Sequence, residues 1–136
     1  MAKSSKQVVL ITGGAMGQGR THAVAFAEAG FDVVLIDMLE PENEIFKETI
    51  ALVRDAGGEV LALQANICST PEVEAAFAQA WEKFGRLDVV VANAGIINFG
   101  YTWELSDEQV ERALAVNLEG TWRTDKYAAI YMRKQG

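Results

Sequence analysis

Four short runs of apolar, largely β-branched residues, at 7–12, 31–36, 59–64 and 87–91, alternate with stretches of helical period along the chain. Runs of that length that are apolar almost throughout read as strands covered on both faces. Strands separated each time by a helix lie together only as a parallel sheet, and right-handed crossovers then place helices on both sides. The pattern therefore predicts an α/β fold with strand order 3-2-1-4. Neither a repeat nor a linker interrupts it, so residues 1–136 read as one domain.

The helices carry their own punctuation. Arg20 to Ala29 has apolar residues at Ala23, Val24 and Ala27 and is stopped by Gly30. Pro41 opens a second helical stretch that Gly57-Gly58 ends. Thr70 reads as an N-cap with Pro71 at the first helical position, and that helix runs to about Phe84 before Gly85. Ser106 with Gln109 three residues later forms a capping box, opening one long helix from Asp107 to about Lys134.

Composition narrows the class. Half of the 136 residues are hydrophobic and 23% are charged, which is too apolar for a disordered segment. Twelve Lys and Arg against nineteen Asp and Glu leave a net charge of −7, which disfavours general binding to nucleic acid. The late cations Arg123, Lys126, Arg133 and Lys134 suit the C-terminal part of a long helix. A single cysteine, Cys68, and a single histidine, His22, give neither an internal disulfide nor a metal set. Residues 1–7 lack the apolar core of a signal peptide, and the run at 8–11 is too short for a membrane span. A cytosolic location, with no membrane partner, is the expectation.

The segment Thr12-Gly13-Gly14-Ala15-Met16-Gly17-Gln18-Gly19 lies where the first strand passes into the first helix. A glycine triplet at that junction is the pattern of a dinucleotide-binding, Rossmann-like turn. Gly13 would permit the tight exit, Gly17 the close approach of backbone to a pyrophosphate, and Gly19 the packing of helix on sheet. Exposed amides at the positive helix end would hold the diphosphate. Asp37, eighteen positions after Gly19, closes the second strand, where a carboxylate accepts from both adenosine ribose hydroxyls and repels a 2′-phosphate. Met16 and Met38 beside it are neutral, and Arg20 in the first helical turn is expected to face solvent. NAD is therefore expected over NADP.

With these residues in view, the chain resembles the classical short-chain dehydrogenases/reductases over essentially its whole length. The motifs that carry the resemblance are the loop from Thr12 to Gly19, Asn93-Ala94-Gly95 after the fourth strand, and Asn117 within Val116-Asn117-Leu118-Glu119-Gly120. The resemblance implies that Thr12, Gly13, Gly17, Gln18 and Gly19 form the phosphate loop. It also implies that Asn93, Ala94 and Gly95 line the cofactor ribose and stabilise the central sheet. Ala92 stands where the family usually has a further Asn, and Asn66-Ile67 where it places Asp-Val against adenine. An Asn oxygen still accepts from an adenine amino group.

The resemblance further implies hydride transfer between NAD and an alcohol/ketone pair. Its chemistry belongs to a Ser after a fifth strand and to a Tyr-x-x-x-Lys pair, with Asn117 helping to hold a water in the proton relay. Here Leu105, Tyr131 and Gln135 follow Tyr101, Tyr127 and Tyr131 by four positions, so none of the three tyrosines has the lysine. The expected entity is thus the N-terminal, cofactor-binding part of such an enzyme, with an incomplete sheet and no turnover alone. The alternative is a non-catalytic NAD-binding fragment or subunit. The helix 107–134 is the expected surface for a homo-oligomer. Ile96, Ile97, Phe99, Tyr101 and Trp103 are expected to pack beneath a loop, with one wall of a substrate pocket as the other option. The loop Gly17-Gln18-Gly19-Arg20-Thr21-His22-Ala23 also matches a neighbouring branch that holds its NAD permanently. That branch carries a long insertion after strand two, whereas nineteen residues separate Asp37 from Gly57 here, so it is not favoured.

Overall fold

A computed structural model describes residues 3–136; the first two positions of the N-terminal segment lie outside it. Four parallel strands, β1 (Val8–Thr12), β2 (Asp32–Asp37), β3 (Val60–Gln64) and β4 (Val89–Val91), form one sheet in the order β3-β2-β1-β4. The order matches the alternation of strand and helix in the sequence. β4 is shorter than its apolar run, pairing over Val9↔Val89 to Ile11↔Val91, and it forms one edge of the sheet.

Residues of β1 and β2 alternate between two cores, as the two-residue period of a strand requires. Val9, Ile11, Val33 and Leu35 meet α1 (Gly17–Glu28) and α2 (Glu44–Asp55) through Ala23, Ala27, Phe46 and Val53. Val8, Leu10, Val34 and Ile36 meet α3 (Thr70–Phe84) and the long C-terminal helix through Phe77, Ala80, Phe84 and Tyr127. Phe46 and Phe77 are fully enclosed, one in each core. Truncating either to Ala costs about 3–5 kcal/mol on general experience of buried Phe.

Three helix starts differ from the sequence expectation, each for a local reason, and the long helix differs in its interior. α1 starts at Gly17, three residues before Arg20, because the chain enters it through Gly17 at φ +57 after an extended Met16. α2 starts at Glu44 and not at Pro41; a turn closed by the Asn43 amide on the Glu40 carbonyl precedes it, and Asn43 Oδ1 accepts from the Ile45 amide at 2.9 Å. Ser69, one residue before Thr70, caps α3 and leaves Pro71 in the first turn. The long helix is continuous but has three parts: α4 (Asp107–Leu114), a π-helical turn (Ala115–Gly120) and α5 (Thr121–Gln135). Its capping box forms in both directions, Ser106 with Gln109.

Candidate functional site

All four strands end on the same side of the sheet, and the segments that follow them line a cleft of about 600 Å³. That volume lies within the roughly 300–1,000 Å³ usual for ligand pockets, and the place is where open parallel sheets bind their ligands. Gly13 and Met16 come from the loop after β1, Gln18 from the first turn of α1, Asp37 and Met38 from the end of β2, Asn66 and Ile67 from the turn after β3, and Asn93, Ala94 and Gly95 from the segment after β4. Of the residues singled out by sequence, Thr12, Gly17 and Gly19 do not line the cleft but shape the loop that does. Asn117 stands behind its β4 side.

The loop after β1 is fixed from several directions. Thr12 is buried, and its Oγ1 accepts from the amides of Asn93 and Ala94, both at 3.1 Å. Asn93 returns the contact, its Nδ2 donating to the carbonyls of Thr12 and Gly13 at 3.1 and 3.2 Å. These four bonds tie the exit of β1 to the exit of β4. Gly19 packs against this exit itself: an added Cβ would fall 2.0 Å from the Gly13 carbonyl oxygen. Gly17 has the opposite surroundings, with nothing within 4 Å of an added Cβ. No side chain caps the helix that starts there. Its first amides therefore remain available to an anion, supported by the helix dipole.

Asp37 closes the other end. Its Oδ2 accepts from the Ala15 amide at 3.0 Å and its Oδ1 from the Leu39 amide at 3.1 Å. Each carboxylate oxygen keeps further acceptor capacity. Arg20 does not face solvent as expected. Its Nε donates to Thr49 Oγ1 at 2.8 Å, one Nη to the Ile45 carbonyl at 3.0 Å, and the other pairs with Glu48 at 2.9 Å. Thr49, fully buried, donates its own hydroxyl hydrogen bond to the Ala15 carbonyl. Ala15 is thus held at its N–H by Asp37 and at its C=O by Thr49. Sequence reading missed Thr49; its signal was a polar residue on the buried stripe of α2 between Phe46 and Val53.

After β3, Asn66 Oδ1 accepts from the Cys68 amide at 2.9 Å, which shapes the turn carrying Ile67. Asn117 sits within the π-helical turn, and both ends of its amide are bonded to Ile96: Oδ1 accepts from the Ile96 N–H and Nδ2 donates to its C=O, both at 2.8 Å. Cys68, Arg112 and Val116 also line the cleft, although the sequence did not mark them as site residues.

None of the three tyrosines lines the cleft. Tyr127 lies buried beside Phe77, and its hydroxyl donates to Glu74 at 3.3 Å. Burial and the charge of Glu74 push the phenols of Tyr127 and Tyr131 above their ordinary value, the opposite of what a tyrosinate base needs. The loop after Gly95 does not pack as expected: Phe99 and Trp103 are 85% and 81% exposed, and Tyr101 stacks on Trp103 with ring centres 4.8 Å apart. Among the described residues no group of three His, Cys, Asp or Glu is placed to hold a metal, and no helix is long and apolar enough to cross a membrane.

The same architecture recurs in known proteins. The chain is 43% identical to an uncharacterised NAD-dependent oxidoreductase of Mycobacterium tuberculosis, over 87% of this chain and 46% of that protein. It is 34% identical to the (−)-trans-carveol dehydrogenase of Rhodococcus erythropolis, over 94% of this chain and 50% of the relative. The crystal structure of carveol dehydrogenase from Mycobacterium avium in complex with NAD superposes with a TM-score of 0.88 at 32% identity, covering 97% of this chain and 51% of that one. The chain thus spans about half the length of the relatives it matches. The family model for short chain dehydrogenase matches residues 7–136, and the chain belongs to that family.

Proposed function

We propose that this chain is the NAD-binding part of an oxidoreductase that transfers hydride between the nicotinamide ring and an alcohol/ketone substrate. One observation carries the reading: the cleft places the uncapped N-terminus of α1 and the Asp37 carboxylate in a single site, linked through the Ala15 amide. The residues present suit a dinucleotide. The open space at Gly17 admits a pyrophosphate, and the amides of Gly17, Gln18 and Gly19 supply its donors. Asp37 would accept from the adenosine ribose hydroxyls, Asn66 and Ile67 would border the adenine, and Asn93, Ala94 and Gly95, which line the same cleft, would border the second ribose. Bound NAD supplies a hydride acceptor at its nicotinamide ring.

Preference for NAD over NADP follows from charge. A 2′-phosphate would meet Asp37, and Arg20, in the first turn of α1, is committed to Glu48, Thr49 and Ile45. Met16 and Met38 offer no charge.

A second reading, a binding module without chemistry of its own, is favoured by the tyrosines, which stand outside the cleft with their protons held more tightly than usual. Asn117 enters either reading as a positioning residue, since both ends of its amide hold the Ile96 backbone. The test pairs a titration with an assay. The full chain should bind NAD, and Gly17→Val should abolish binding while the folded signal survives. NAD reduction with a panel of alcohols should show no turnover. Unchanged affinity in Gly17→Val would reduce the loop to a mere turn, and sustained turnover would reject the module reading.

A further inference from the structure

The long helix grips both sides of the cleft within two turns. On the β4 side, Asn117 is doubly bonded to Ile96. Three residues on, Gly120 lies directly under Ile67 on the β3 side, where an added Cβ would fall 2.6 Å from Ile67 Cδ1. Three residues further, the Arg123 side chain returns to the same turn: Nη1 donates to the Ile67 carbonyl at 2.6 Å and Nε to Thr70 Oγ1 at 2.9 Å. Among the described residues no other group donates to the Ile67 carbonyl.

This placement works against the local electrostatics. Thr70 opens α3, so the guanidinium stands at the positive end of that helix, where a cation is disfavoured. Two charge-assisted bonds with fixed fork geometry offset the penalty. The turn they hold carries Asn66, Ile67 and Cys68, three residues that line the cleft. We propose that Arg123 is a positioning residue for the adenine end of the cofactor: it fixes the Asn66–Cys68 turn at the distance from the β4 side that an adenosine requires. The proposal rests on the NAD-binding reading and adds to it a residue outside the cleft. With Ile67 O anchored, Asn66 Oδ1 stays in its turn, bonded to the Cys68 amide, with capacity left to accept from the adenine amino group.

A simple tie between α5 and α3 would stabilise the chain without reading the base, and a base analogue separates the two roles. Nicotinamide hypoxanthine dinucleotide carries an oxygen in place of the adenine amino group and keeps every phosphate and ribose. The full chain should be titrated with NAD and with this analogue by calorimetry, as wild type, Arg123→Met and Arg123→Lys. Hydrogen exchange on the ligand-free proteins should follow the amides of residues 66–69. Wild type should prefer NAD. Arg123→Met should weaken NAD about tenfold, leave the analogue nearly unchanged and bring the ratio close to one, with Arg123→Lys between them. Amides 66–69 should exchange about tenfold faster in Arg123→Met while those of β1 and β2 stay as they were. Equal losses for both nucleotides, or none, would overturn the proposal. If wild type binds neither, the NAD reading itself fails, and unchanged exchange at 66–69 would then overturn the strap as well.

Discussion

Two glycines of the same loop, two positions apart, should respond very differently to one added methyl group. At Gly17 the Cβ meets nothing within 4 Å, so Gly17→Ala incurs only the backbone penalty of φ +57. That penalty is about 1–2 kcal/mol for an L-residue. At Gly19 the φ is not the obstacle. The Cβ would fall 2.0 Å from the Gly13 carbonyl oxygen, 2.8 Å from its carbon and 3.0 Å from Asn93 Nδ2. Gly13 cannot retreat, because its own Cα substituent position already lies 2.9 Å from the Ala94 Cα. The loop must therefore move as a unit, which adds overpacking strain of about 1–3 kcal/mol. It also loosens the two bonds from Asn93 to the Thr12 and Gly13 carbonyls, worth about 1 kcal/mol each. The sum for Gly19→Ala is about 3–5 kcal/mol, a large share of the roughly 5–15 kcal/mol that holds a domain folded. For a chain of 136 residues this corresponds to a fall in Tm of about 10–20 °C, against about 3–8 °C for Gly17→Ala. Thermal and urea unfolding followed by circular dichroism, on both variants, gives the comparison. Equal losses for the two variants would refute the steric account of Gly19.

Asp88 gives a pH dependence. Burial opposes its ionisation, but bonds from Arg86, the Val8 amide and Gln135 outweigh burial and hold the carboxyl below its ordinary range. A depressed carboxyl stabilises the fold above its unfolded pKa of about 3.9, and the contribution is lost as pH falls through the folded value. Asp88→Asn should therefore be less stable at neutral pH and show a shallower loss on acidification, read from urea midpoints between pH 7 and pH 3; parallel curves would contradict it. Val110, Leu114, Leu118 and Trp122 form an exposed apolar stripe on the long helix. Light scattering should give a mass above the 14.8 kDa of one chain, and Leu118→Glu with Trp122→Glu should lower it; a wild-type monomer would contradict this.

The parts of the molecule that are local in sequence were legible in it. β-branched runs between glycines marked the strands, their alternation with helices gave the sheet order, and the glycine spacing with Asp37 located the cleft. The rest depends on partners distant in the chain. Arg20 and Arg123 look like any surface cations until α2 and the β3 turn arrive beside them, 29 and 56 positions away. The π-helical turn did leave a trace. Apolar residues at 110, 114, 118 and 122 step by four, which would drift roughly 40° per step around an ordinary helix of 3.6 residues per turn. A widened turn at Ala115–Gly120 keeps the stripe together. The aromatic loop after Gly95 is exposed at Phe99, Tyr101 and Trp103 because apolar character alone does not bring a cover over a side chain.

Calorimetric titration of the chain with NAD and NADP, as wild type and as Asp37→Ala, tests the central claim most directly. A 2′-phosphate brought close to the Asp37 carboxylate, in a half-buried site with intermediate screening, is disfavoured by about 1.5–3 kcal/mol, or on the order of ten- to a hundred-fold in affinity. Wild type should bind NAD tighter than NADP by that factor, and Asp37→Ala should narrow the gap by weakening NAD and relieving NADP. Equal affinities for the two cofactors in the wild-type chain, or a gap that survives Asp37→Ala unchanged, would contradict the account.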